Sequence, residues 1–99
     1  MEPSIFDLAY SQIEVHYKEL LQQVVRDVSA KYPEEKFDEI HHAGVQAIAL
    51  SFQARKFSER VWGKALSYES AEKSLAAQFP EFSQAVIQRA LGTTYSETR

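Results

Sequence analysis

SIFDLAYSQIEVHYKELLQQVVRDVSAK, residues 4–31, is the stretch on which the fold turns. Phe6, Tyr10, Ile13, Tyr17, Leu20, Val24 and Val28 recur at spacings of 4, 3, 4, 3, 4 and 4. That is the apolar stripe of an α-helix, close to a coiled-coil seam. Leu8, Leu21 and Val25 widen it. A strand would need alternation with period two, and none is sustained. Pro3 stands where a first helical turn tolerates a missing N–H. The reading is one long helix from about Ser4 to Lys31.

Tyr32-Pro33 interrupts it, because Pro33 disfavours the α conformation at Tyr32 and removes a helix hydrogen bond. Glu34, Glu35 and Asp38 follow, and negative charge suits a first helical turn. A second helix is therefore expected from near Pro33 to about Phe57. Its inward stripe reads Phe37, Ile40 or His41, Gly44, Ile48 and Phe52, with Val45 beside it. Ala43, Gly44, Ala47 and Ala49 are small and permit close approach to the first helix, so the two form an antiparallel hairpin. Residues 57–66 either continue this helix or restart it with Ser58 as N-cap. Gly63 costs about 1 kcal/mol relative to Ala within a helix, which predicts a kink or an end there.

Ser67 or Ser70 can cap a third helix ending at Phe79, with Leu75, Ala76 and Phe79 inward. Pro80 stops it and can open a fourth, with Phe82, Val86, Ile87, Ala90 and Leu91 inward and Gly92 as C-cap. The expected architecture is all-α: a compact bundle of four helices, or five if 57–66 restarts, made of a long N-terminal helical hairpin and two shorter helices. Residues 1–92 form a single helical domain and residues 93–99 a polar C-terminal tail, which Tyr95 can pin.

Composition excludes much. The chain has 99 residues, 44% of them hydrophobic and 25% charged. With no Cys there is no disulfide scaffold, zinc ribbon or thiol nucleophile. The three glycines, Gly44, Gly63 and Gly92, are isolated and make no phosphate loop. The apolar run from Ala43 to Phe52 is too short to span a bilayer, and the acidic opening residues lack the basic start of a secretory signal. A cytoplasmic protein with no membrane role is expected. Twelve aromatics are a large apolar payload for this length and favour self-association. Charge is divided unevenly: residues 1–52 sum to −5 and residues 53–99 to +2. An acidic half beside a basic half points to self-association or a charged partner.

Three clusters are candidates for chemistry or binding. Glu39 and His42 have the i, i+3 spacing of carboxylate-bridged di-iron bundles, but His16 and Glu14 do not repeat the unit. The expected state is no metal and no cofactor, with one of His41 and His42 packed in the hairpin and the other solvated. The serines lie at cap-like or polar positions, none in a G-x-S-x-G elbow, and the carboxylate pairs lie on one exposed turn. No catalytic residue is assigned and the protein is read as no enzyme. The second cluster is basic: Lys56, Arg60 and Lys64 recur every four residues, flanked by Arg55 and interleaved with Phe57 and Trp62. Arg55, Lys56, Arg60, Trp62 and Lys64 are the candidate partner-binding residues, since basic residues among aromatics bind nucleic acid or acidic protein surfaces and Trp and Arg are frequent interface anchors.

The third cluster is residues 75–91, LAAQFPEFSQAVIQRAL. Helix, tight break and helix resemble a helix-turn-helix, with Pro80 and Glu81 where that motif has a small turn residue. The resemblance implies that Ser83, Gln84, Gln88 and Arg89 face DNA. Phe79-Pro80 and Ala90-Leu91 are also similar to a small three-helix ubiquitin-binding type of module. Neither resemblance assigns a family. The leading reading is a small acidic interaction protein, an adaptor, regulator or inhibitor presenting a helical surface to a macromolecular partner, foremost a protein. Homodimerisation is expected through the first helix. The alternative is a DNA-binding transcriptional regulator using residues 75–91.

Overall fold

The structure, a computed structural model, describes residues 4–16 and 21–97. These residues are all-α: five helices and no strand. The helices are α1 (Ile5–His16), α2 (Leu21–Lys31), α3 (Phe37–Trp62), α4 (Tyr68–Gln78) and α5 (Gln84–Glu97). The chain divides into two compact units, Met1–Ala49 and Leu50–Arg99. Helix α3 contributes to both.

In the first unit, Ser4 caps α1: its Oγ accepts from the Asp7 N–H at 3.1 Å. Helices α1 and α2 pack against each other. One straight helix cannot fold back on itself, so the single helix read over residues 4–31 is corrected to two. Tyr17 and Leu20, the middle of the predicted stripe, lie outside the described residues. The reason is tertiary. At 12 and 11 residues both helices are marginal alone. Leu8, Tyr10 and Ile13 of α1 and Val24, Val25 and Val28 of α2 are buried.

The Tyr32-Pro33 break is as read, and the Glu35 N–H donates to Tyr32 O at 3.1 Å in the turn. Helix α3 starts four residues later than Pro33, with the Glu39 and Ile40 N–H groups donating to Lys36 O at 3.1 Å. Gly44 is where α3 meets α2. A Cβ there would stand 2.8 Å from Leu21 Cδ1 and 3.6 Å from Val24 Cγ1 and Val25 Cγ2. The small residue is what lets the two helices approach.

In the second unit α3 runs on to Trp62, so residues 57–62 continue it and Ser58 opens no new helix. Its stop is a Schellman motif. The Ala65 N–H donates to Arg60 O at 2.9 Å and the Lys64 N–H to Val61 O at 3.0 Å. The left-handed position of this motif is held by Lys64, at φ 63°, and not by Gly63. A side chain there costs about 1 kcal/mol that glycine avoids. Lys64→Gly is expected to raise stability by about that amount, read as a higher urea midpoint; an unchanged midpoint would show the turn to be unstrained.

Ser67 caps α4, its Oγ accepting from the Ser70 N–H at 3.1 Å. Ser83 caps α5, its Oγ accepting from the Val86 N–H at 3.3 Å. Helix α5 therefore begins at Gln84 and not at Pro80. Phe79, Phe82, Val86, Ile87, Ala90 and Leu91 are buried as read. Gly92 lies inside α5 and is no C-cap, and residues 93–97 are helical where a polar tail was expected. What holds that last turn is side-chain packing. Ser58 Oγ and Thr94 Oγ1, both in buried residues, hydrogen-bond at 2.7 Å, and Thr94 also donates to Ala90 O at 2.9 Å. The Trp62 and Tyr95 rings stack 4.6 Å apart, and the Trp62 indole N–H donates to Tyr95 O at 2.8 Å.

Candidate interaction surface

Helix α3 carries two apolar faces. The buried one is Ile40, Ala43, Ala47, Leu50, Ala54 and Phe57, spaced 3, 4, 3, 4 and 3. The other is turned to solvent: Phe37 is 64% exposed, Val45 40% and Phe52 52%. His41 is exposed and Ile48 half-buried on that same side. Phe37 and Phe52, read as inward, are therefore corrected, and of Ile40 or His41 it is Ile40 that is buried. Small residues on the opposite face allow a closer backbone approach than the large ones, and the helix turned to use them. On a helix of 3.6 residues per turn, Phe37, His41, Val45, Ile48 and Phe52 share one outer stripe.

At the C-terminal end of this helix, Arg55, Lys56 and Arg60 are exposed beside Phe52. The Arg60 guanidinium lies 5.6 Å from the Phe57 ring centroid, in cation–π range. Lys64 departs from the predicted row. It is exposed but lies past the end of α3 in a left-handed turn, so it no longer follows Lys56 and Arg60 on a helical face. Trp62 is 39% exposed, and its ring face and N–H are committed to Tyr95. It therefore acts first as a pin for α5. Tyr68 meets Tyr95 edge-on at 5.3 Å, and burial, followed by the charge of Glu72 and then Tyr95, pushes its hydroxyl above the ordinary value of 10.0. Phe52 is the residue that the sequence reading missed as a binding candidate. Its position four residues before Lys56 was visible, but it had been assigned inward.

At the start of α3 the sign of charge is opposite. Glu34, Glu35, Asp38 and Glu39 are all exposed around Phe37. The Glu35 carboxyl is raised above its ordinary 4.5, first by a side-chain hydrogen bond with Glu39, then by desolvation and by the charges of Glu39 and Glu34. These carboxylates repel one another. The division of charge coincides with the division into units, because residues 50–52 are uncharged: the first unit sums to −5 and the second to +2.

The remaining candidates separate. Gln84, Gln88 and Arg89 are exposed together on α5, whereas the Ser83 hydroxyl is engaged in capping that helix. Glu39 and His42 are exposed, and His42 meets Phe6 edge-on at 5.8 Å. His41 lies beside Phe37, centroids 5.9 Å apart. Both histidines are thus exposed, where one was expected to be packed. Among the described residues no three His, Cys, Asp or Glu side chains come together that could hold a metal ion. No described helix is long and apolar enough to cross a membrane.

Among the described residues, three open clefts bear on the candidate residues. The first, of about 540 Å³, lies between α2 and the start of α3, with Leu21, Val25, Phe37 and His41 on its walls. Another, of about 440 Å³, is bounded by Phe6, Asp38, Glu39 and His42. The third, of about 390 Å³, lies by the α4–α5 turn against Pro80 and Phe82. No protein-family model matches the chain, and no curated protein and no solved structure matches it.

Proposed function

We propose that the chain is a small non-enzymatic interaction module of the cytoplasm, an adaptor, regulator or inhibitor that docks an acidic protein surface on α3. One observation carries this reading. Phe52 stands 52% exposed with Arg55 and Lys56 one turn further along the same helix. An exposed aromatic supplies the desolvated anchor of an interface, and the flanking cations supply orientation and rate of encounter. Arg60 extends the basic edge, and Trp62 and Lys64 border it.

The test is capture of partners by the intact chain and by a Phe52→Ser/Lys56→Glu variant. Phe52 and Lys56 are exposed, so folding is expected to be unaffected and capture to fall at least tenfold. Undiminished capture by a folded variant would remove this surface from the proposal.

A second reading is supported by α5. Gln84, Gln88 and Arg89 are exposed on one side of a helix that follows a tight break, and Gln and Arg suit base edges. On this reading the protein is a DNA-binding regulator. An Arg89→Ala variant with unchanged affinity for duplex DNA at low salt would exclude it.

A further inference from the structure

The partner that best fits the outer face of α3 is a second copy of the same helix. We infer that the chain self-associates by antiparallel pairing of α3, the acidic start of one copy covering the basic end of the other. The inference rests on the docking surface proposed above and names its occupant.

The geometry of a helix supports the pairing. Phe37 and Phe52 are fifteen residues apart on the outer stripe, about 22 Å at 1.5 Å per residue. Val45, 40% exposed, lies midway. An antiparallel register centred on Val45 brings Phe37 of each copy near Phe52 of the other. The same register brings Arg55 and Lys56 of each copy to the turn just before the other copy's α3, where Glu34 and Glu35 are exposed, at both ends of the pair. Each contact occurs twice, as an isologous two-fold interface requires. A parallel arrangement would set like charges together at both ends and is disfavoured.

The shape of the first unit agrees. Beside Phe37 lies the cleft of about 540 Å³ walled by Leu21, Val25 and His41. In the antiparallel register this cleft faces the partner's Phe52 side chain. The carboxylates at the start of α3 also gain. Four of them, Glu34, Glu35, Asp38 and Glu39, stand exposed around Phe37, and the basic end of a second copy offsets their like charge. By contrast Tyr10 and Ile13, two residues of the stripe read as a dimer seam, are buried within the chain.

The experiment is sedimentation velocity over a concentration series at low and high salt, with charge-swapped variants. Wild type is expected to dimerise in the micromolar range and to weaken at least tenfold in high salt. The Arg55→Glu/Lys56→Glu variant, acidic at both ends of α3, is expected to stay monomeric. So is Glu34→Lys/Glu35→Lys, basic at both ends. Mixed in equal amounts, the two are expected to form a heterodimer. Circular dichroism checks that each is folded. Wild type that remains monomeric near 1 mM overturns the inference, and so does a dimer indifferent to both swaps. A monomeric wild type whose capture of another protein is still abolished by Arg55→Glu/Lys56→Glu overturns self-pairing and leaves the docking surface standing.

Discussion

Leu91→Ala is expected to cost about 2–5 kcal/mol of stability, the range for emptying a buried leucine site. Leu91 is 0% exposed, and so are Leu75 and Ala90 in the same unit. The cavity opens next to the point where α5 is tied to α3, since Thr94, three residues after Leu91, hydrogen-bonds through its Oγ1 with Ser58 Oγ of α3 at 2.7 Å. The Ser58 and Thr94 hydroxyls are held by hydrogen bonds and do not fill an apolar void, which places the cost in the upper part of the range. A domain of this size has only about 5–15 kcal/mol in total, so the urea midpoint should fall by a large fraction. Phe52→Ala removes a larger side chain yet is expected to cost less than about 1 kcal/mol, because about half of that ring is already in water. Equal losses at the two positions would mean that the burial pattern of the second unit is wrong.

Gly44→Leu is the counterpart in the first unit, and its cost comes from overfilling. A Cβ alone would approach Leu21 Cδ1 to 2.8 Å. Leu21 is half-buried at the start of α2, and its methyl can move aside. Gly44→Ala should therefore be nearly neutral, since about 1 kcal/mol of helix propensity offsets the shift. A leucine has no such outlet. Its branches point at Val24 and Val25, both buried, and must push α2 away, at a cost of about 1–3 kcal/mol or more. Thermal denaturation of the pair separates the effects: a small change for alanine and a large loss for leucine. A stable leucine variant would show that α2 and α3 are loosely apposed here.

What was legible in the sequence was punctuation written in side-chain chemistry. Pro33 ends α2, Ser67 caps α4, and the break after Phe79 separates α4 from α5. The buried set on α5, Val86, Ile87, Ala90 and Leu91, also follows from spacing alone. The division between α1 and α2 was not legible, because residues 16–21, HYKELL, hold neither Gly nor Pro and keep the apolar period. The orientation of α3 was missed for a related reason. Both of its faces are apolar, and a reading weighted by side-chain size puts Phe37 and Phe52 inside, whereas close helix packing rewards Ala43, Ala47 and Ala54. Gly63 drew attention to the end of α3, but the strained residue is its neighbour Lys64.

The same unevenness holds for the candidate surface. Arg55, Lys56 and Arg60 are exposed as their charge required. Trp62 is drawn into packing by Tyr95, 33 residues further along the chain, a partner that no local pattern announces. Phe52 became a candidate only once α3 was seen to face the other way.

The stacking of Trp62 on Tyr95 also decides what spectroscopy can see. Trp62 is the one tryptophan of the chain, and both rings belong to Leu50–Arg99. Its emission is set by a flat aromatic neighbour 4.6 Å away and a hydrogen-bonded indole N–H. A fluorescence titration with denaturant therefore follows the second unit and is blind to α1 and α2, whereas far-ultraviolet dichroism counts helix in both. Coincident curves would mean that the units melt as one cooperative body through their shared helix. Separate curves would mean that a stability obtained from fluorescence belongs to half of the protein.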